Sequence, residues 1–301
     1  MITATDLRKS YGSTPALQGL SLTVTPGTIC GLIGPDGAGK TTAMRIVCGL
    51  LRPDQGQARV LGLDPVADGP AVKPRLGYMP QRFSLYPDLT VAENLAFFAD
   101  LYGVTRRARG QREAELLAFS RLDSFRDRRA GRLSGGMKQK LALSCTLIHT
   151  PEVLVLDEPT TGVDPVSRRE FWRILAQLAG RGLSLLVSTP YMDEADRCDQ
   201  IILMHAGRAL TAGPPAAVSA AFPHQILEVS GPGTGAAWAR LRSQPPAGIE
   251  VHRFGDRLHL IYAGTGHPDR VRELLTGTEV TMQPVPAGVE DVFVDLLQAQ
   301  P

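Results

Sequence analysis

Several features that would narrow the class of protein are scarce or missing in this 301-residue sequence. Its four cysteines, Cys30, Cys48, Cys145 and Cys198, are scattered without a CxxC pair, which argues against a zinc site or a disulfide framework. They are interpreted as reduced core residues of a cytosolic protein. The opening segment MITATDLRKSYG is not an apolar signal, and no window approaches about 18 uninterrupted apolar residues. The chain is therefore not expected to span a membrane, so any membrane role would need a partner.

Neither sign of charge is in large excess. Lys and Arg number 32 and Asp and Glu number 30, for a net charge of +2, which gives no support for binding to nucleic acid. Two Arg-rich segments, residues 106–112 and 126–132, are interpreted as solvated faces, with an anionic membrane surface as the alternative.

A glycine-rich stretch is the strongest chemical signal that is present. The apolar residues 28–33 predict a strand and residues 42–47 predict a helix. Residues 34–42 connect the two and place glycines, a lysine and threonines at the spacing of a phosphate-binding loop. Its backbone N–H groups and the helix N-terminus would bind phosphates, Lys40 would reach the β- and γ-phosphates, and Thr41 would hold Mg²⁺. The predicted nucleotide-binding residues are Gly34, Pro35, Asp36, Gly37, Ala38, Gly39, Lys40, Thr41 and Thr42.

Two further segments carry chemistry. Ser134, Gly135 and Gly136 precede a helix and form a second position suited to phosphate, with ordinary helix capping as the alternative. Residues 153–156 predict a strand buried on both faces of a parallel sheet, and Asp157 and Glu158 follow where ligands bind such sheets. Asp157 suits coordination of Mg²⁺ and Glu158 suits activation of the attacking water, although paired acids also cap helices.

The remaining patterns outline two domains, residues 1–222 and 223–301. Residues 2–33 predict short strands separated by Gly12, Gly19 and the turn at residues 26–27. A helical insert at about residues 85–150 opens with the capping box Thr90–Glu93. Its first helix is predicted to bury Val91, Leu95, Phe98 and Tyr102, and a second helix is predicted at residues 113–122. After a Pro/Ala-rich connection, residues 213–223, the order β-α-β-β-α-β predicts a small ferredoxin-like α+β module with a dimerisation or regulatory role.

The chain contains the following motifs in order: Tyr11, GPDGAGKTT, Gln81, LSGGMKQK and VLVLDEP with the following TTGVDP. In this order and spacing they resemble the motifs of the ATP-binding subunits of ABC transporters, over roughly residues 2–220. The resemblance implies a P-loop α/β core with an antiparallel β subdomain and a helical insert. It implies that Tyr11 stacks on adenine, for which a half-buried core tyrosine is the alternative, and that Gln81 senses Mg²⁺ and the γ-phosphate. Ser134, Gly135 and Gly136 would clamp the ATP of an opposite subunit, with Asp164 at the dimer seam.

Two positions depart from the family pattern. Met137 replaces a glutamine of the signature, and Pro190 replaces the histidine that contacts the γ-phosphate. Proline has neither an imidazole nor an N–H donor, and none of the six histidines lies in this loop. We therefore expect slow turnover at the site built on Lys40 and Glu158.

The resemblance implies a subunit that binds ATP and Mg²⁺ and powers transport, with export favoured by the tail VEDVFVDLL. Its expected partners are an integral membrane permease and a second ATPase domain, in a homodimer or a heterodimer. It is expected at the cytoplasmic face of the membrane. No nucleic-acid partner is expected. An ATP-clamping regulatory subunit and a non-transport ABC ATPase are the alternatives. The latter is disfavoured because the chain has a single phosphate-loop motif and no sustained heptads.

Overall fold

The computed structural model describes residues 1–82, 85–263 and 268–299. The chain divides into two compact units, Met1–Pro215 and Ala216–Pro301. This division falls near the start of the Pro/Ala-rich connection, whereas the sequence patterns place it at the end. Residues 264–267 and 300–301 of the predicted second domain lie outside the described residues. Within the described ranges, no helix is both long and apolar enough to cross a bilayer.

The first unit combines two sheets with a group of helices. Its strands are β1 (Ile2–Tyr11), β2 (Thr14–Val24), β3 (Ile29–Ile33), β4 (Gln55–Val60), β5 (Leu76–Met79), β6 (Val153–Asp157), β7 (Ser184–Thr189), β8 (Gln200–His205) and β9 (Arg208–Gly213). Its helices are α1 (Lys40–Val47), α2 (Gly69–Val72), α3 (Val91–Leu101), α4 (Arg106–Ser120), α5 (Gly135–Leu147) and α6 (Pro165–Gly180), and α7 (Pro215–Ala220) begins at the division.

The six-stranded sheet positions the predicted site. Its order is β5-β6-β7-β3-β8-β9, with parallel pairing throughout except between β8 and β9. Every residue of β3, β6 and β7 is buried, as expected for parallel strands covered on both faces. The carboxyl ends of these three neighbouring strands therefore bring the loops that follow them to one edge of the sheet.

The antiparallel sheet has the order β2-β1-β4. Contrary to the prediction of a strand break at Gly19, β2 continues through this residue. Leu7 pairs with Leu20 and Arg8 with Gln18, so Gly19 is the extra residue of a β-bulge, and its φ of 99° suits glycine. Its interpretation as a separator between strands is wrong because a bulge and a turn use the same residue type.

The helical insert contains α3, α4 and α5. The capping box is confirmed, since Thr90 N–H donates to Glu93 and Glu93 N–H to the Thr90 hydroxyl. The predicted apolar face is partly wrong, because α3 buries Val91, Asn94, Leu95 and Ala99 while the side chain of Tyr102 is 39% exposed. Asn94 is accepted in this core because its amide group bonds to main-chain groups of residues 86–90.

The first Arg-rich segment is less solvated than its composition predicts. Helix α4 begins at Arg106, earlier than the predicted start. Arg109 bonds to Asp100 and to the carbonyl of Ala96, and Arg112 donates to the carbonyl of Leu147 at 3.0 Å. The second segment, residues 126–132, does expose its arginines. The solvated-face interpretation is therefore wrong for two side chains of α4, whose long stems cover the insert.

After α7, the described residues of the second unit form four strands and three helices in the order β-α-β-β-α-β-α. They are β10 (Gln225–Ser230), α8 (Thr234–Ser243), β11 (Ile249–Phe254), β12 (Arg257–Tyr262), α9 (Pro268–Leu274), β13 (Thr281–Val285) and α10 (Val289–Gln298). The sheet order is β11-β12-β10-β13 with all neighbours antiparallel, an arrangement also found in ferredoxin-like modules. Leu227, Val229, Leu258 and Leu260 join the apolar core of one sheet face. Glu228 and His259 pair directly between these positions and so lie on the opposite face.

Candidate active site

The loop Gly34–Thr42, called the P-loop below, follows β3 and leads into α1. Gly39 precedes the helix with φ 100°, and no side chain of the described residues caps the helix start. A Cβ atom on Gly34 would lie 2.2 Å from the carbonyl oxygen of Met204, and one on Gly39 would lie 2.4 Å from that of Ala16. A Cβ atom on Gly207, in the β8–β9 turn, would lie 2.7 Å from the same Ala16 oxygen. Glycine is therefore required where the P-loop touches β2 and β8, and the N-terminus of α1 stays open to an anion.

Lys40 is held beneath the P-loop with its side chain 4% exposed. Its ammonium donates to the carbonyl oxygens of Gly34 at 2.7 Å and Pro35 at 3.0 Å. It also lies 3.3 Å from Oε1 of Glu158. These three oxygens hold the cation at the floor of the loop, and its role toward a phosphate stays a prediction.

Asp157 ends β6 and is 1% exposed. Its Oδ1 accepts hydrogen bonds from the hydroxyls of Thr41 at 3.1 Å and Ser188 at 2.7 Å. Its Oδ2 is buried and has no partner among the described residues, although an unpaired buried acceptor costs about 1–3 kcal/mol. An oxygen of this kind beside the Thr41 hydroxyl fits a hydrated Mg²⁺, since hard cations take oxygen ligands and keep several waters.

Glu158 is held at every polar atom. Oε2 accepts from the amide of Gln81 at 2.9 Å and from the hydroxyl of Thr161 at 3.3 Å, while Oε1 faces Lys40. Its N–H donates to the Ser188 hydroxyl at 2.9 Å. The backbone of Glu158 is left-handed, with φ 48°, a conformation that disfavours residues other than glycine and concentrates at functional sites. The carboxylate is thus fixed beside Lys40 at the sheet edge.

The segment after β7, residues 190–194 and called the switch loop below, lies beside these acids. Pro190 is half-buried. The carboxylate of Glu194 is buried and accepts from the hydroxyls of Thr160 at 2.8 Å and Thr189 at 2.5 Å, and Thr189 O accepts from the N–H of Gly34 at 3.3 Å. The backbone on both sides of Pro190 is therefore anchored independently of the side chain at that position.

An open cavity of about 350 Å³ collects most of the predicted nucleotide residues. It is lined by Ala16, Asp36, Gly37, Ala38, Gly39, Lys40, Thr41, Thr42, Gln81 and Glu158. Gly34 and Pro35 contribute through their carbonyl oxygens to Lys40, and Asp157 lies behind Thr41. Tyr11 ends β1 with its side chain 50% exposed, which leaves the ring face accessible. Its stacking role stays a prediction.

The signature residues lie at the start of α5. Ser134 caps this helix, with its hydroxyl accepting from Met137 N–H at 3.3 Å. Ser134 and Gly135 are exposed, but Gly136 is buried, and a Cβ atom on it would lie 2.4 Å from Cβ of Ser167. Gly136 is therefore required for the contact with α6, whereas Ser134 and Gly135 are exposed and their role toward a nucleotide stays a prediction.

Asp164 caps α6. Its Oδ1 accepts from Ser167 N–H at 2.9 Å and Val166 N–H at 3.1 Å. The bond from Ser167 N–H is the main cause that lowers the pKa of the Asp164 carboxyl. The carboxylate is exposed, as a residue at a dimer seam would need to be, and that assignment stays a prediction.

Sequence comparison identifies the family. The ABC transporter family profile matches residues 17–161. The chain is 36% identical over 293 residues to Nod factor export ATP-binding protein I of Burkholderia lata, which covers 97% of this chain and 95% of that protein. The chain therefore belongs to the ABC transporter ATP-binding proteins, a family of ATPases.

A second relative is longer. The chain is 44% identical over 300 residues to the Probable multidrug ABC transporter ATP-binding protein YbhF of Escherichia coli K12, covering 99% of this chain and 52% of that protein, so it spans about half the length of this relative. Among solved structures, an ATP binding subunit of an ABC transporter matches with a TM-score of 0.66 and 28% identity over 73% of this chain and 92% of that one. The dimeric ATP-binding cassette MJ0796 with ADP and Pi matches with a TM-score of 0.64 over 71% of this chain and 98% of that one, and at 24% identity it shows the fold alone. The predicted α/β cassette fold is confirmed.

Sequence reasoning missed three polar residues of the site. Ser188 bonds to both acids of the β6 end, Thr161 to Glu158, and Glu194 joins the switch loop to Thr160. The available signal was the polar pair Ser188-Thr189 directly after the apolar residues 185–187 of β7. Such a pair at the carboxyl end of a parallel strand indicates a site in the same way as Asp157 and Glu158.

Proposed function

We propose that this chain binds Mg²⁺-ATP, hydrolyses it slowly at its own site, and drives transport, in the export direction, through a separate membrane permease. The observation that carries the proposal is the arrangement of Lys40, Asp157 and Glu158 at the end of two parallel strands. Lys40 would bind the β- and γ-phosphates, Thr41 and Asp157 would hold Mg²⁺, and Glu158 would orient the attacking water. A bound Mg²⁺ would supply neutralisation of the charge on the phosphate oxygens.

Pro190 supports slow turnover. The switch loop is anchored through Thr189 and Glu194, so a histidine at position 190 would find the backbone already in place. With proline there, the γ-phosphate loses one donor, and loss of one donor to a developing charge lowers rates by about 10²–10³. A heterodimer with a histidine-bearing ATPase would then have one fast and one slow site. A homodimer in which Glu158 suffices is the competing arrangement.

A second cavity supports contact with a permease. It measures about 370 Å³ and is lined by Gln81, Arg82, Leu85, Pro87, Ala130, Gly131, Lys138, Gln139 and Ala142. Gln81 lines both this cavity and the nucleotide cavity. Exposed apolar side chains, among them Tyr86, Phe97 and Leu101, occur in the same helical insert. We propose that a cytoplasmic segment of the permease binds here, which would place the chain at the cytoplasmic face of the membrane.

The first experiment compares steady-state ATPase rates and Mg²⁺-ATP affinity of the wild type, Pro190→His and Glu158→Gln. Slow turnover that rises at least about tenfold in Pro190→His supports the degenerate site, because the histidine restores a donor. Fast wild-type turnover unchanged by Pro190→His contradicts it and favours the symmetric dimer. Tight binding without turnover in the wild type and in Pro190→His favours an ATP-clamping regulatory subunit.

The second experiment tests the partner. Co-purification of a multi-spanning membrane protein with the wild type, and its loss in Ala130→Glu, is the expected result. Ala130 is 1% exposed at the cavity wall, so the matched measurement is Mg²⁺-ATP affinity, which should stay unchanged if the variant is folded. Leu85→Asp is the second variant, because Leu85 is only half-buried and the change is less disruptive. Retention of the membrane protein by both variants would place the interface elsewhere.

A further inference from the structure

Ser188 joins the two acids of the candidate site. It lies one residue before the end of β7, is 0% exposed, and pairs directly with Asp157 of β6 in the parallel register. Its hydroxyl donates to Asp157 Oδ1 at 2.7 Å and accepts from Glu158 N–H at 2.9 Å. One hydroxyl therefore fixes the side chain of one acid and the main chain of the next.

The bond to Asp157 decides which oxygen of that carboxylate is free. Oδ1 receives both described hydroxyl donors, from Thr41 and Ser188, and Oδ2 receives none within the described residues. Rotation of the carboxylate would break both bonds. The free oxygen is thus held in one direction, as an outer ligand of a hydrated cation needs to be.

The bond to Glu158 acts on the backbone. The N–H of Glu158 bonds to Ser188 immediately before the left-handed turn of the chain at Glu158, whose φ is 48°. This conformation persists only when the surroundings fix it. The side chain beyond it is then placed for its bonds to Gln81 and Thr161 and for its ion pair with Lys40.

We propose that Ser188 is a positioning residue for the binding of a magnesium-nucleoside triphosphate, acting through Asp157 on the metal and through the Glu158 backbone on the carboxylate. This inference rests on the proposed function of the site. Ser188 is fully buried and its one O–H donor is used by Asp157, so it would act on the nucleotide through the acids. Outer partners of metal ligands contribute about 10–100-fold to metal affinity in proteins.

The test measures how ATP binding by the full chain depends on Mg²⁺. A fluorescent ATP analogue is titrated at increasing Mg²⁺, and in EDTA, for the wild type, Ser188→Ala and Ser188→Thr. Ser188→Ala is expected to raise the Mg²⁺ concentration for half-maximal binding about tenfold. The affinity for the ATP analogue in EDTA is expected to stay within about twofold of the wild-type value. Ser188→Thr keeps the hydroxyl and is expected to restore the wild-type dependence on Mg²⁺.

A matched control separates positioning from general stability. Ser184 is a buried serine at the start of the same strand, and its hydroxyl accepts a hydrogen bond from the N-terminal ammonium of Met1 at 3.2 Å. Ser184→Ala is expected to lower the melting temperature without changing the Mg²⁺ dependence. If Ser188→Ala does not fold, Ser188→Cys keeps a side chain of similar size with a weaker hydrogen-bonding atom and should shift the Mg²⁺ dependence in the same direction.

The outcomes separate this inference from the proposed function. A wild type that binds ATP in a Mg²⁺-dependent way, together with an unchanged dependence in Ser188→Ala or Ser188→Cys, overturns the role of Ser188 alone. An equal shift in Ser184→Ala also overturns it, because the effect would then be one of strand stability. Absence of Mg²⁺-dependent binding in the wild type overturns the proposed function and this inference with it.

Discussion

Lys40 and Glu158 form an ion pair at 3.3 Å in which the side chains are 4% and 6% exposed. The lysine follows β3 and the glutamate follows β6, and β7 lies between these two strands. The cation is also bonded to Gly34 and Pro35, and the carboxylate to Gln81 and Thr161. The residue expected to bind phosphate and the residue expected to activate water therefore form a buried ion pair with each other.

Removal of Lys40 should lower stability as well as nucleotide binding. Lys40→Ala leaves Glu158 buried without its counter-charge, and breaking one side of a buried pair costs roughly 3–5 kcal/mol. The double variant Lys40→Ala/Glu158→Gln should recover most of this loss without recovering ATP binding. Urea unfolding followed by circular dichroism measures the first effect and ATP titration the second. Equal stabilities of Lys40→Ala and the double variant would show that the pair is not coupled.

Glu158→Gln should separate binding from hydrolysis. Glutamine keeps an acceptor for Gln81 and Thr161 but cannot take up a proton from water, so turnover should fall by about 10²–10⁴. ATP affinity should be unchanged or higher, because the competition of the carboxylate for Lys40 is removed. Single-turnover hydrolysis and equilibrium binding of the same preparation check both parts. A parallel fall of affinity and rate would instead indicate that Glu158 holds the P-loop in shape.

The two signature glycines should respond differently to alanine. A Cβ atom on Gly136 meets Ser167 Cβ at 2.4 Å, whereas one on Gly135 has its nearest neighbour, Gly162 O, at 3.7 Å. Gly136→Ala should destabilise the unit by about 1–3 kcal/mol through overpacking, and Gly135→Ala should be close to neutral. The double variant Gly136→Ala/Ser167→Gly removes the clash and should restore the melting temperature. Failure of that rescue would place the cost of Gly136→Ala in another contact.

The stability of the second unit should depend on the protonation of His259. Its Nδ1 bonds to Asp291 at 2.6 Å, and this bond is the main reason that the pKa of His259 is raised above 6.5. Glu228, at 3.7 Å from Nε2, acts in the same direction, and Arg257 lies 3.2 Å from Glu228. A raised folded-state pKa means that protonated His259 stabilises the unit fully below about pH 6.5. The contribution should be lost as pH rises through the higher folded pKa.

Urea unfolding measures this dependence. The pH range of about 5.5 to 9 begins below the usual histidine pKa of about 6.5 and extends well above it. In a Trp172→Phe background, fluorescence of Trp238 in α8 reports on the second unit alone. His259→Gln should flatten the pH dependence. A wild type whose second unit gains stability with rising pH through this window would have the opposite sign and exclude the mechanism.

The four cysteines should be unreactive in the folded chain. All are buried and unpaired with one another. Burial raises the pKa of the Cys30 thiol to about 12 and raises the pKa values of Cys48, Cys145 and Cys198 well above the usual range, and thiolate is the reactive form. Ellman's reagent should label none at pH 8 and all four in urea. Val166→Cys, at a position 66% exposed, is the positive control and should react at once.

The sequence was sufficient wherever the information is local. The apolar runs of β3 and β6, the glycine spacing of the P-loop and the Thr90–Glu93 box each lie within a few residues, and the structure confirms the elements that they predict. Residues 34–42 follow β3, and Asp157 and Glu158 lie at the end of β6. Both groups lie at one edge of the sheet because parallel strands end together. Their roles toward ATP and Mg²⁺ stay predictions.

Relationships between distant segments were not predictable. The sequence predicts a break at Gly19 because the bulge becomes visible only in the register with β1. The contact of Gly136 with Ser167 and the bonds of Ser188 to the β6 acids depend on how α5 meets α6 and how β6 pairs with β7. The helical period does not identify Asn94 as a core residue, because the main-chain groups that bond to its amide are visible only in the folded chain.

The carbonyl oxygen of Ala16 lies against both Gly39 and Gly207, and nearby Gln18 bonds to Ala206, 188 positions along the chain. The P-loop thus acquires its wall only after β2 has met the turn between β8 and β9. Contacts of such long range form late and slowly in folding. During refolding, the onset of ATP affinity would therefore time the closure of the entire unit, even though the phosphate loop itself is a short and local segment.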